Sequence, residues 1–324
     1  MAHCVIPLRL KRKVYTIPFL IMNKKLGTKV LLAAVISHVF WGFSFIASRT
    51  ALNTAHVFVL LSHRFLIAFL LMTAVMLVKR IRLNIKGNKR AVLLVLLGLC
   101  EPVIYFFGEQ YGILHSSTIF SGVMIAMIPI VSILAAAPIL KERPTIWQLV
   151  FSVISVAGVI GIGLMTRSSG SLDLIGVVAL TVAVLAACAY TLLGRGISKE
   201  FSPFERTYMM LAVGAVVFTV LAAFRCDFSP KAYFAPFGDI HYLLSTLFLG
   251  ICCSFISYFL VSYAITHLTV AQATVFANLT TAVSVFAGAA LLKEPFSWIG
   301  LVFCAMILLG IYGVQRSSRG SKGE

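Results

Sequence analysis

One acidic residue stands in the middle of a long apolar run, Gly98-Leu99-Cys100-Glu101-Pro102-Val103. A charge at a bilayer centre costs about 2.5–3.5 kcal/mol on insertion scales, so such residues usually face a cavity or a partner. Pro102 has no N–H and loosens the backbone beside Glu101, freeing carbonyls that a cavity must satisfy. Two chemistries suit this setting. Glu101 could exchange protons with a water-filled path, or it could hold a substrate ammonium. The structural alternative is a Glu101 paired with Arg64 or His63, or simply protonated. Glu109 lies nearer the end of the run, where solvent is expected to reach it.

A second set is polar without being charged. Thr269, Gln272, Thr274, Asn278, Thr280, Thr281 and Ser284 recur along one apolar run. Thr274, Asn278 and Thr281 fall on one helical face, at spacings of four and three. Ser117, Ser121 and Met124 repeat the pattern earlier in the chain. Such residues either line a pathway or glue helices together. Trp41, Tyr105, Tyr190 and Tyr258 lie well inside apolar runs, whereas most membrane Trp and Tyr sit at the interfaces. They are candidate walls of a site, with ordinary packing as the alternative.

Other chemistries find no residues. No GxxxxGK[ST] loop is present, so ATP-driven work is not expected. No Ser/His/Asp or paired-carboxylate set stands on a loop, and Asp and Glu total 10, so an enzyme is not expected. Cys100, Cys188, Cys252, Cys253 and Cys304 lie in apolar runs without CxxC or Cys/His spacing. Neither a metal nor another cofactor is implied.

The elements that must position these residues follow from composition. Hydrophobic residues make up 60% of 324, charged residues 11%, and the mean hydropathy is +1.01. A soluble domain carries about 25% charged residues. The runs are continuously apolar rather than alternating, which excludes a membrane barrel. An all-α integral membrane protein is expected, with ten transmembrane helices. Their approximate limits are 30–48, 55–78, 91–108, 116–140, 145–165, 172–194, 207–224, 241–262, 269–292 and 297–315. The formal charge of +17 sits in the connections, where it fixes orientation, and calls for no nucleic acid.

The chain also repeats itself. Tyr111 to Ile162, moved forward by 152 positions, lies without a gap on Tyr263 to Val314, and sixteen of the 52 pairs are identical. Leu140-Lys141-Glu142 falls on Leu292-Lys293-Glu294, at the same break between two apolar runs. An internal duplication explains this. Lys141 suits the negative end of span 4 and Glu142 the positive start of span 5, with Pro144 in its first turn. The motif is thus a helix-end device or a gate, as are Lys293 and Glu294. The expected domains are a basic N-terminal segment, 1–29, repeat 1 at 30–165, repeat 2 at 172–316, and a tail, 317–324. Residues 1–21 read as an upstream extension, with a natural start at Met22; native protein beginning at Met1 on N-terminal sequencing would overturn that.

With the N-terminus in the cytoplasm, 21 of the 27 Lys and Arg fall on the cytoplasmic side and six opposite. Both ends are therefore expected in the cytoplasm, in the cell (inner) membrane. Five spans per repeat is an odd number, so the second copy enters upside down. Such inverted pairs build the alternating-access site of many secondary transporters.

These features resemble the drug/metabolite transporter superfamily, specifically its EamA-type ten-helix transporters. The matching residues are Trp41-Gly42-Phe43-Ser44-Phe45, His63-Arg64-Phe65, Pro129, Leu140-Lys141-Glu142, Gly158, Leu292-Lys293-Glu294-Pro295 and Gly310, across residues 30 to 316. Thr281 replaces Pro129 in the second half, and Cys188-Ala189-Tyr190 stands where Trp41-Gly42-Phe43 is expected. The resemblance implies a secondary active transporter, most simply an exporter of small metabolites such as amino acids. Protons are the candidate coupling ion, the lipid bilayer is the other partner, and one chain holds both halves, so a monomer suffices. The alternative class is an intramembrane enzyme or a lipid-handling protein. The pathway residues are then Trp41, Glu101, Tyr105, Ser121, Tyr190, Tyr258, Thr274, Asn278 and Thr281.

The inverted reading makes a direct prediction. A reporter fused after Lys141 reads cytoplasmic and one fused after Lys293 reads external. Both on one side would end the inverted-repeat account.

Overall fold

In hydrocarbon, an apolar run of this kind satisfies its backbone as an α-helix, and every regular element among the described residues is helical. The computed structural model describes residues 24–83, 85, 89–115, 124–125, 127–142, 144–165, 174–292 and 298–320. The proposed start at Met22 lies outside them, as do Ser117, Ser121, Lys293 and Glu294.

The helices are α1 (Lys24–Leu52), α2 (Val57–Val78), α3 (Val92–Gly98), α4 (Tyr105–Leu114), α5 (Ile128–Leu140), α6 (Ile146–Met165) and α7 (Leu174–Gly196). There follow α8 (Pro203–Arg225), the short α9 (Pro230–Phe234), α10 (Ile240–Phe248), α11 (Ser257–His267), α12 (Val270–Thr274), α13 (Ala277–Leu292) and α14 (Trp298–Gly320). Wide π turns at Leu99–Ile104 and Leu249–Ile256 join α3 to α4 and α10 to α11. Among the described residues seven helical runs are long and apolar enough to cross a membrane. Spans 4, 5 and 9 are represented by shorter apolar pieces, Ile128–Leu140, Ile146–Gly161 and Val270–Val283.

Local chemistry sets the ends. Ser202 caps α8, accepting from the Glu205 N–H, while the Glu205 carboxylate accepts from the Ser202 N–H, and Pro203 fills the first turn. Lys141 ends α5 in a left-handed conformation, φ 57°. Asp239 starts α10, accepting from Thr54 Oγ1 and from the His241 N–H, both at 2.8 Å. The Thr54 hydrogen bond, then that of His241, holds this exposed carboxyl below the usual range.

Span 9 differs from the expected single helix. It breaks after Thr274 and resumes at Ala277. Thr274 and Asn278 therefore stand on either side of the break. The pair at the break, Val275-Phe276, carries no Gly or Pro to mark it. Val275 is fully buried and Phe276 nearly so, which places the break in the core rather than at a surface turn.

The packing is reciprocal. A Cβ added at Gly158 would meet the Phe303 carbonyl at 2.7 Å and Ile307 Cγ1 at 2.9 Å. At Gly310 it would meet the Phe151 carbonyl at 2.6 Å and Ser155 Cβ at 2.5 Å. All three pairs, 158 and 310, 151 and 303, 155 and 307, are 152 apart, so each contact is the mate of the other. Ser155 Oγ donates to the Ile307 carbonyl at 3.4 Å, joining one residue to its own mate.

Gly98 backs onto Met210 and Val213, while Gly250 backs onto Arg64 and Ile67. Ser62 bonds Thr219 at 2.9 Å, and Thr73 bonds Tyr208 at 3.5 Å. In α2 and α8 the mates are 146 apart, as are their N-caps, His56 and Ser202. Gly42 packs on Val283, and Cys188 clusters with Val131.

Small residues permit these close backbone approaches. Gly310→Val forces a side chain into the Phe151 backbone, and overpacking of this kind costs about 1–3 kcal/mol. It lowers the thermal unfolding midpoint in detergent by several degrees. Gly300→Ala, on the same helix with nothing within 4 Å of its Cβ, leaves the midpoint unchanged or raises it. Equal losses for both would refute the reciprocal contact as the cause.

Candidate functional site

The two π turns lie near the middle of the bundle and release backbone groups from the regular helical ladder. The turn at Leu249–Ile256 finds new partners in α1. Trp41 Nε1 donates to the Cys253 carbonyl at 2.8 Å, and Cys253 Sγ approaches the Phe40 carbonyl at 3.4 Å. Ser257 Oγ donates to the Cys252 carbonyl at 2.8 Å. In the other turn, Glu101 is extended, φ −142° and ψ 120°, and Pro102 follows without an N–H to return. The helical axis breaks there, at the residue singled out in the sequence.

Four of the candidate residues meet at these breaks. Tyr258 Oη donates to Glu101 Oε1 at 3.1 Å, with Glu101 9% and Tyr258 2% exposed. The Tyr258 ring meets Trp41 edge-on, centroids 5.2 Å apart, and Tyr190 edge-on at 6.4 Å. Phe65 closes another side at 6.5 Å. T-shaped pairs of this geometry add about 0.5–1.5 kcal/mol each beyond burial. Trp41, Glu101, Tyr190 and Tyr258 thus form one buried cluster built from α1, the first π turn, α7 and α11.

The other candidates lie differently. Tyr105 donates its hydroxyl to Glu109 Oε1 at 2.9 Å and packs near Ile128, Val184 and Ala187. Glu109, expected to be solvated, is half-buried and takes that bond. Thr274 Oγ1 donates back to the Val270 carbonyl at 2.8 Å. Asn278 Nδ2 donates to Ser155 Oγ at 3.1 Å, beside the self-mated contact of α6 and α14. Both are engaged in packing. Thr281 is half-buried on α13.

The structural alternative, Glu101 paired with Arg64 or His63, is not seen among the described residues. Arg64 Nε donates instead to Ser254 Oγ at 2.6 Å, and its guanidinium lies 5.2 Å from the Phe106 ring centroid and 5.5 Å from that of Phe65. His63 Nδ1 bonds Tyr242 Oη at 2.7 Å inside a box of Tyr233, Phe234 and Phe237.

Glu142 also differs from expectation. Its Oε1 accepts from Arg195 Nε at 2.8 Å and its Oε2 from the Val270 N–H at 2.9 Å. It therefore caps α12 across the bundle rather than its own next helix. That role falls to Thr145 and Gln148, each accepting from the other's backbone N–H at the start of α6. Arg195 continues to the Thr266 carbonyl at 2.8 Å, so one carboxylate and one guanidinium tie α7, α11 and α12 to the end of α5.

Sequence reasoning missed two groups. Arg206, counted with the loop charges, is 1% exposed and donates to the carbonyls of Gly194 and Ser262, both at 2.7 Å, and to Thr266 Oγ1. His38 bonds the Ala34 carbonyl at 2.7 Å and meets Trp41 edge-on at 5.0 Å. Its spacing of three from Trp41, on one helix, was the available signal.

Comparison with known proteins places this geometry. A sequence model described as the EamA-like transporter family matches residues 28–164 and again 174–316. The chain is 32% identical over 295 residues to the uncharacterized transporter YcxC of Bacillus subtilis strain 168, covering 90% of this chain and 94% of that protein. It is 26% identical over 287 residues to an uncharacterized transporter of Archaeoglobus fulgidus, covering 89% and 98%. One solved crystal structure superposes with a TM-score of 0.76 over 91% of this chain and 99% of that one; at 16% identity it speaks to the fold alone. The chain is a multi-pass membrane transporter and belongs to the EamA-like transporter family.

Proposed function

We propose that this protein is a secondary active exporter of small metabolites such as amino acids, working by alternating access and coupled to an ion gradient. The observation that carries the reading is the pairing of a reciprocal scaffold with one buried acid. Mated contacts support reading residues 30–165 and 172–316 as two repeats related by a pseudo-two-fold axis. Two halves so related can rock between equivalent arrangements about a fixed centre. The Glu101, Trp41, Tyr190 and Tyr258 cluster lies where both halves contribute, with Glu101 from one and Tyr190 and Tyr258 from the other.

Orientation follows from charge. The Lys and Arg excess puts both termini in the cytoplasm of a cell (inner) membrane protein. The Glu142–Arg195–Val270 tie then lies at the cytoplasmic end, where it holds α5, α7 and α12 together in this conformation. Tyr105 and Thr281 extend the proposed pathway from the central cluster.

Glu101 is the coupling group in this reading, a carboxyl that alternates between proton and substrate as the halves rock. Glu101→Gln keeps the size and removes the titration. Gradient-driven net transport in proteoliposomes drops at least about tenfold, equivalent to about 1.4 kcal/mol, while the purified variant keeps its thermal midpoint. Wild-type transport by Glu101→Gln under a pH gradient would falsify the coupling role and make Glu101 structural.

A further inference from the structure

Arg206 is a buried charge that the proposed transport cycle does not use. It is the fourth residue of α8 and is 1% exposed. Nη1 donates to the Gly194 carbonyl and Nη2 to the Ser262 carbonyl, both at 2.7 Å, and Nη2 also donates to Thr266 Oγ1. Nε is fully enclosed and has no partner among the described residues. Both terminal nitrogens are thus bound to protein and the third is sealed off, so the group is not a site for an incoming anion. No carboxylate pairs with it among the described residues. Glu205, beside it in sequence, accepts from the Ser202 N–H and hydroxyl at the start of its own helix.

Two helices of the central cluster set its place. Gly194 lies four residues beyond Tyr190 on α7, and Ser262 four beyond Tyr258 on α11. Arg206 therefore stands one turn, about 6 Å along each axis, past both tyrosines. Thr207, the next residue, donates to the Tyr258 carbonyl at 3.4 Å and fixes α8 at the level of the cluster itself. Beyond Arg206 both helices reach their ends, at Gly196 and His267, which the Lys and Arg excess assigns to the cytoplasm. The titratable groups that act on Arg206 are Tyr190 and Arg195. Of the two guanidiniums at this end, Arg195 is paired with Glu142 and Arg206 has no carboxylate among the described residues. The charged groups that act on Glu101, Glu109 and Arg64, are opposite in sign and come from α4 and α2.

Helix dipoles explain part of this placement. The ends of α7 and α11 are negative poles, and a cation there is favourable. Arg195 already serves the end of α11, however, donating to the Ile265 and Thr266 carbonyls. A neutral donor would hold Gly194 and Ser262 as well, without the cost of burying a charge that has no counter-ion. What only the charge supplies is a field. A fixed arginine in a narrow path repels protons and cations, and the repulsion is strong where the medium screens poorly. We propose that Arg206 is a cation barrier between the central cluster and the cytoplasm, closing that side to protons in this conformation. A coupled exporter needs such a barrier, because a carboxyl reached from both sides at once carries protons without carrying substrate. The inference rests on the reading of Glu101 as the coupling group, and the experiment separates the two.

The full-length protein is placed in proteoliposomes with an imposed pH gradient and no substrate, and an entrapped pH dye reports the decay. Wild type decays at the rate of empty liposomes. Arg206→Gln keeps a donor, removes the charge and decays at least tenfold faster. Arg206→Lys keeps the charge, loses the fork and stays within about twofold of wild type. Were the hydrogen bonds the whole role of Arg206, lysine and glutamine would leak alike. Should Arg206→Gln fail to fold, Arg206→Met, also neutral, takes its place with the same expectation. A neutral variant as tight as wild type overturns the proposal, and so does Arg206→Lys leaking as fast as the neutral variant. Adding Glu101→Gln to the leaking variant tests the other reading. A double variant that is tight again supports both, since the leak then runs through Glu101. A leak that persists without Glu101 sinks Glu101 as the coupling group and leaves the barrier standing. No leak in any variant, with gradient-driven transport still lost in Glu101→Gln, does the reverse.

Discussion

Trp41 Nε1 donating to the Cys253 carbonyl joins the first helix to a break in the eighth span, and much of the centre depends on the constraint behind it. Backbone that leaves the helical ladder inside hydrocarbon must find a partner within the protein. The π turn at Leu249–Ile256 meets that demand with Trp41, which donates to the Cys253 carbonyl, and Ser257, which donates to the Cys252 carbonyl. Fixing Trp41 in this way fixes the edge on which the Tyr258 ring rests, and Tyr258 in turn aims its hydroxyl at Glu101. A backbone requirement in one element thus becomes side-chain order at the acid in another.

Glycine contacts set the frame around that centre. Gly158 and Gly310 bring α6 and α14 together, and Gly98 and Gly250 bring the π-turn regions against α8 and α2. Each is a place where backbone replaces side chain, so the distances are set by rigid atoms. The centre itself obeys no such pairing. Glu101 and Cys253 are 152 apart and occupy corresponding places in the two turns, yet one offers a carboxylate and the other a carbonyl held by Trp41.

The sequence made the helical membrane class, the duplication and the place of Glu101 within an apolar run legible, because these rest on run length, self-similarity and a charge out of place. The meeting of Trp41 with Tyr258 was not legible as a contact, since 217 positions separate them and only folding sets their distance. The destination of Glu142 was misread for the same reason. Its nearest helix in sequence was a plausible partner, but Thr145 and Gln148 already serve that end, and the open N–H of Val270 lay across the bundle. Arg206 looked like a loop charge because a capped helix start and a loop read alike until burial separates them. The break at Val275-Phe276 left no mark, since neither residue is a helix breaker.

The lack of a mate for Glu101 has a stoichiometric consequence. Two identical five-helix halves would set two acids at that level, close enough to repel across a medium that screens poorly. With Cys253 in the second place, Glu101 has no acidic mate in the other turn. If Glu101 carries the coupling proposed above, a single acid accepts one proton, so no more than one proton is exchanged there in each turnover, and the gradient the transporter can build against is bounded by that ratio.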